Sequence, residues 1–249
     1  MPDLMFNYFS FGGIVFGGVN SSTRIERVPN QNRPQRKADV YNIPGRNGDI
    51  VVMQDAWENV EQTYEIWGGD GSINSATDFG YIVSDLFRLS GYQMLTDSYD
   101  PEHFRYAYFV DAFNVESSYT RRGRASVTFS CDPRRFILDG YSNWREVDTS
   151  GHSMSDEVPT PYDSKPQIKV FGSGSGTVTI GGRTITISSI TNEMILDCEN
   201  EQAYKGTTSL NTDVSGQFPI IPGGVHGHPN VYFTGGVSKV QIRPDWWVL

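Results

Sequence analysis

Only one stretch of this chain, residues 75–90, spaces its apolar side chains as a helix does. Phe79, Ile82, Val83, Leu86 and Phe87 follow the i, i+3, i+4, i+7, i+8 rule of a single buried stripe. Ser75 stands where an N-cap is needed, Asp78 completes a capping-box-like start, and Gly91 suits the C′ position. A helix with one apolar stripe has to lie against a sheet, and the remaining segments read as strands. The first segment alternates around Phe9 and Phe11, and Arg24–Val28 reads as an edge strand. Val60, Gln62, Tyr64 and Ile66 alternate with Glu61, Thr63, Glu65 and Trp67, as in a strand with one wet face. Ala125, Val127, Phe129 and Cys131 share a face in the same way. Between these, Tyr92–Asp97 and an aromatic strand over Phe104–Asn114 flank the Asp100-Pro101-Glu102 turn. The first half is therefore expected to be α+β with antiparallel pairing.

Residues 139–166 are polar and carry three prolines near their end, which predicts a linker or lead-in and a domain boundary near 140. Beyond it every segment reads as a short strand. Thr177–Ile180 and Arg183–Ile187 flank Gly181-Gly182, a two-residue hairpin signature. Gln167–Phe171, Glu193–Cys198, Asn230–Thr234 and Ser238–Arg243 read as further strands, and the Gly-Ser run at 172–176 as a strand-end turn. Several short strands with regular turn signals predict a β-sandwich over 140–235. The bulky end, Ile242 to Leu249, is expected to be docked, with 236–249 returning to a first domain at 1–139.

The formal net charge is −9, shared between the two halves, which argues against nucleic-acid binding by phosphate neutralisation. No apolar run approaches the roughly 20 residues that span a bilayer, so no membrane association is expected. Cys131 and Cys198 are read as reduced core residues. His226 and His228 form an HxH pair without an evident third ligand, so neither a metal nor a cofactor is expected. No G-x-S-x-G elbow and no P-loop lysine occur, and no catalytic residue is assigned. A sugar site would need a stacking aromatic; Trp144, Tyr204 and Tyr232 are the candidates, and nothing groups them with polar partners.

One segment breaks the strand rhythm. Residues 29–49 are rich in proline and base, and Arg24, Arg27, Arg33, Arg36 and Lys37 outweigh Glu26 locally. Residues 44–49, PGRNGD, form a tight-turn signature in which Asn47-Gly48 is expected to supply the two positive-φ positions of a type I′ hairpin. Val40, Tyr41 and Ile43 precede the turn, and Ile50, Val51 and Val52 follow it. The expectation is an arm reaching a neighbouring acidic subunit, with Arg33, Arg36, Lys37, Tyr41 and Arg46 at the interface.

The order of these parts resembles the distal tail protein family of siphophages. The resemblance rests on the early hairpin with its PGRNGD turn (44–49) and the helix followed by a strand, Asp100-Pro101 and an aromatic strand. It rests also on the strand ending in CDPRRF (131–136), and on the late β-domain with its hairpin at 177–187, the strand EMILDC (193–198) and the end IRPDWW. It implies a tail-tube-like ring domain followed by a galectin-like β-sandwich, in the compact form without a carbohydrate-binding insertion. It implies a homohexameric ring between the tail tube protein and the tip hub or tail-associated protein, near receptor-binding or fibre proteins. DNA would only pass through it, and an acidic lumen would ease that passage. The virion tail tip is the expected location, after assembly in the host cytoplasm. A stand-alone carbohydrate-binding module, or a tail-associated hydrolase, would be the readings from other classes.

Overall fold

The computed structural model describes residues 7–19, 21–68, 73, 75–117, 123–154, 160–224 and 229–249. Its strand pairs are antiparallel, and the chain divides into two compact units, Met1–Arg135 with Leu249, and Phe136–Val248. The expected boundary at 140 compares with a division after Arg135, and residues 236–248 fall in the second unit.

The first unit contains β1 (Tyr8–Phe11), β2 (Ile14–Gly17), β3 (Thr23–Ile25), β4 (Arg36–Tyr41), β5 (Ile50–Trp57) and β6 (Val60–Gly68). The helix α1 (Ala76–Ser84) follows, then β7 (Gln93–Asp97), β8 (His103–Tyr108), β9 (Glu116–Ser117) and β10 (Gly123–Cys131). The main sheet runs β2-β1-β7-β8-β10-β6-β3, so the segment read as an edge strand does lie at the edge. Strict alternation in β6 and β10, paired from Val60↔Cys131 to Trp67↔Arg124, sends Tyr64, Ile66, Val127 and Phe129 inward. There Phe9 stacks on Tyr64 at 4.2 Å and on Phe16 at 5.1 Å, while Phe129 meets Phe11 at 4.8 Å. Aromatic pairs at these separations add attraction to the area they bury.

Ser75 caps α1 by accepting the Asp78 N–H at 3.1 Å, and Phe79, Val83 and Leu86 are buried against the sheet. The α-helix is shorter than its apolar stripe. The Ser84 hydroxyl donates back to the Gly80 carbonyl at 2.7 Å, and Asp85–Arg88 tighten into a 3₁₀ turn. Leu89 is already extended, so Gly91, at φ +68°, lies past the helix rather than at C′. The aromatic strand expected over Phe104–Asn114 also ends early, at Tyr108. A regular strand would put Asp111 on the same face as Phe109 and Phe113. By leaving the sheet, the chain keeps Asp111 exposed while Phe109 and Phe113 pack on Phe87 at 4.9 and 5.8 Å.

At the boundary lie β11 (Arg135–Ile137) and the single-turn helix α2 (Leu138–Ser142), too short to show a period in the sequence. The second unit continues with β12 (Arg145–Val147), β13 (His152–Ser153), β14 (Gln167–Ile180), β15 (Arg183–Asp197), β16 (Gln202–Lys205) and β17 (Thr208–Ser209). It ends with β18 (Val214–Gly216), β19 (Asn230–Arg243) and β20 (Trp247–Val248). The sheet order is β12-β19-β14-β15-β16-β17, with β13 on β19 and β18 on β15. Part of the segment read as a linker therefore belongs to this sheet, through β12 and β13. Gly181 (φ +59°) and Gly182 (φ +74°) make the expected two-residue hairpin, with Ile180 opposite Arg183. Ile168, Val170, Val178, Ile187, Met194, Leu196, Val240 and Ile242 fill the core.

Residues 172–176 are not a turn. They lie inside the continuous strand β14, where the register slips against both β15 and β19. Gly235-Gly236 likewise sits inside β19 rather than between two strands. The glycines serve close approach: a Cβ on Gly236 would overlap the Ser173 carbonyl oxygen, and one on Gly172 the Gly236 carbonyl. Gly236→Ala is therefore expected to cost about 2 kcal/mol or more of stability, because backbone has to move to admit one methyl group. Chemical denaturation followed by near-UV circular dichroism checks this, and an unchanged midpoint would refute it.

The two tryptophans of the apolar end are held by residues of the second unit, while Leu249 falls in the first. Trp246 is buried, accepts the Ile137 N–H on its carbonyl at 2.8 Å, and lies under the Arg145 guanidinium at 4.4 Å. Trp247 stacks on Tyr162 at 4.4 Å. Both cysteines are free thiols in the cores, Cys131 in the first unit and Cys198 in the second. Burial pushes the Cys131 thiol up to about 12 and raises that of Cys198 as well.

Candidate assembly surface

β4 and β5 stand apart from the main sheet of the first unit as a two-stranded hairpin. All of β4 and most of β5 are exposed on both faces. The pairing Ala38↔Met53 and Val40↔Val51 puts these four apolar side chains on one face. Val40, Val51 and Met53 remain 59%, 50% and 58% accessible. Asp39, Tyr41, Ile50 and Val52 occupy the other face. A lone two-stranded hairpin is marginally stable in water at best, and its two outer edges offer free backbone groups.

The tip differs from the expected type I′ turn. Arg46 donates its N–H to the Ile43 carbonyl at 3.1 Å, closing a four-residue turn with Pro44 and Gly45 at its centre. Gly45 has φ +82°, as a type II turn requires after proline. The second left-handed position is Gly48, also at +82°, and Asn47 keeps a negative φ. Proline pre-sets the first bend, so the turn forms at Pro44-Gly45 instead of Asn47-Gly48.

Arg33, Arg36 and Lys37 lie near the base of the hairpin, and Tyr41 and Arg46 towards its tip. Tyr41 is exposed on the more polar face. Arg36 is committed within the hairpin: it bonds Asp55 at 3.0 Å and lies over Trp57 at 5.8 Å. With Asp55 fully exposed, that pair contributes little to stability. Arg33 donates to the Leu249 carbonyl at 3.1 Å. Lys37 and Arg46 are exposed. The charges singled out from the sequence are thus spread along the hairpin. The feature they drew attention away from is the uncovered apolar face, whose signal was Val40 opposite the run Ile50–Met53.

The second unit offers its aromatic residues poorly to a sugar. Trp144 is covered by Lys169 at 4.1 Å, Trp246 is buried, and Trp247 is stacked on Tyr162. Tyr204 lies in β16, and Tyr232, in β19, accepts a bond from Asn230 at 2.9 Å. His226 and His228 lie outside the described residues. Among the described residues no group of His, Cys, Asp and Glu is arranged to hold a metal ion, and no helix is long and apolar enough to cross a membrane.

No protein-family model matches the chain, and no curated protein matches its sequence. Solved structures do match its fold. The Dit protein of phage SPP1 superposes with a TM-score of 0.64 over 95% of this chain and 98% of that one, at 13% identity. The chain has a Dit-like fold. That structure is described as a paradigm of the hub adsorption apparatus in phages infecting Gram-positive hosts. Chains of the phage p2 baseplate in its activated conformation are also similar to this chain in fold. With strontium the TM-score is 0.53 at 12% identity, covering 95% of this chain and 96% of that one. With calcium it is 0.54 at 12% identity, covering 96% and 97%.

Proposed function

We propose that this chain is a structural distal tail protein, a homohexameric ring that connects a phage tail tube to the tip hub and receptor-binding apparatus. In this reading the first unit is the tail-tube-like ring domain and the second a galectin-like sandwich. DNA passes through the ring without being bound. The Dit-like fold, matched over nearly the whole chain, is the observation that carries it. The hairpin β4–β5 gives the reading a physical basis, because its apolar face is uncovered in one copy and a neighbouring copy would cover it. Arg33, Lys37 and Arg46 would then meet acids of the neighbour, setting register and encounter rate more than affinity. The working parts are surfaces, and the reading assigns no catalytic step, metal or cofactor.

Native mass spectrometry of the purified full chain, alone and mixed with its tube or hub partner, tests the proposal. A six-chain species is the expected result. A chain that stays monomeric under both conditions would overturn it.

A further inference from the structure

The first unit also holds a polar cavity, lined in part by Pro29 and Gln31 of the segment that leads into the hairpin. Tyr64, Asp97, Tyr99, Asp100, Arg105 and Arg135 border this cavity, of about 40 Å³. Its acceptors are already engaged. Asp97 takes the Tyr64 hydroxyl at 2.6 Å and the N–H groups of Tyr99 and Asp100 at 2.9 Å each. Asp100 accepts a hydrogen bond from Arg135 NH1 at 2.7 Å and pairs with His103 Nδ1 at 2.7 Å.

Three of its donors are not engaged. Arg105 NH1, Arg135 Nε and the Tyr99 hydroxyl are all buried without a hydrogen-bond partner. Arg105 is only 8% exposed and gives its NH2 to the Asn32 carbonyl at 3.3 Å. Among the described residues no carboxylate lies within ion-pair distance of it. Burial lowers its pKa most; Cys131 and Tyr64 act against this, and the guanidiniums of Arg135 and Arg33 push it down further. A buried cation beside other cations, with free donors, lacks its counter-charge.

A water molecule answers this need poorly. Its oxygen accepts two hydrogen bonds and brings no charge, whereas three free donors and a buried cation border this cavity. An acceptor-only anion supplies several lone pairs and the missing charge together, in the short charge-assisted bonds that arginine favours. We propose that this cavity binds a small oxyanion, held by Arg105, Arg135 and Tyr99. All the residues that border the site come from one chain, so it would be filled in a single copy.

The test uses the full chain in chloride buffer. Inorganic phosphate and, in a second arm, acetate are titrated against sodium chloride of matched ionic strength while the melting temperature is followed. Anion released from the denatured chain is measured in parallel by ion chromatography. The expected result is a saturable rise of about 2–6 °C over the chloride control, as for a ligand that binds only the folded state. If the ion co-purifies, about one equivalent per chain is released instead. A response to phosphate alone identifies a tetrahedral oxyanion, and one to acetate identifies a carboxylate. Tyr99→Phe and Arg135→Lys each remove one free donor and are expected to weaken binding roughly tenfold. Arg105→Met is expected to abolish it, and if that variant does not fold the other two still decide. No saturable rise and no released anion would overturn the proposal. So would an equal response in wild type, Tyr99→Phe and Arg135→Lys, which would mean an adventitious ion only.

Discussion

Replacing Val40, Val51 and Met53 together by serine is expected to remove the six-chain species while leaving the melting temperature of the chain within about 2 °C. The three side chains share one face of the hairpin and are at least half exposed in a single copy, so the cores do not depend on them. On assembly they would lose their remaining water contact. At about 25 cal/mol per Å² of apolar surface, three half-exposed side chains contribute roughly 3–5 kcal/mol per interface. That corresponds to a loss of roughly a hundredfold to several thousandfold in subunit affinity. Removing the Lys37 charge is expected to do far less and to matter mainly at low salt, because exposed charges are screened. Sedimentation velocity separates the cases: a triple variant that still sediments as a ring excludes the hairpin face as the assembly surface.

Phe129→Ala is expected to destabilise the first unit by about 3–5 kcal/mol, the usual cost of truncating a buried phenylalanine in a close-packed core. Phe129 is fully buried and touches Phe9, Phe11, Tyr64 and Phe109 from the middle of β10. Rings contributed by β1, β6 and the segment after β8 cannot all close in on the space it leaves. Phe87→Ala is the matched control. Its ring is about half exposed, and although it packs on Phe109 and Phe113 its loss is expected to cost about 1 kcal/mol. Urea unfolding of both variants makes the comparison, and equal midpoints for the two would contradict this account of the core.

Where a rule is local, the sequence carried the structure. The alternation in β6 and β10, the Ser75 cap and the Gly181-Gly182 hairpin depend on residues a few positions apart, and each stands as read. Glycine misled at 172–176 because its local signal is a turn, whereas here it admits a neighbouring strand that lies sixty residues further on. Phe104–Asn114 misled for a similar reason. Its aromatic content favours a strand, but the destination of Phe109 and Phe113 is Phe87. The hairpin was legible as a hairpin, yet which of its faces nothing covers is a property of the folded unit. The cavity left no motif at all: Tyr99, Arg105 and Arg135 converge only through the strand order.

The two buried cysteines have a practical consequence. Each unit holds one thiol sealed from solvent and kept protonated by its surroundings, and only a thiolate attacks an electrophile. The native chain is thus a blank for maleimide chemistry. A single cysteine placed at the hairpin tip or beside the cavity would carry a dye, spin label or crosslinker without background, so distances in an assembled particle become measurable on the otherwise unmodified protein.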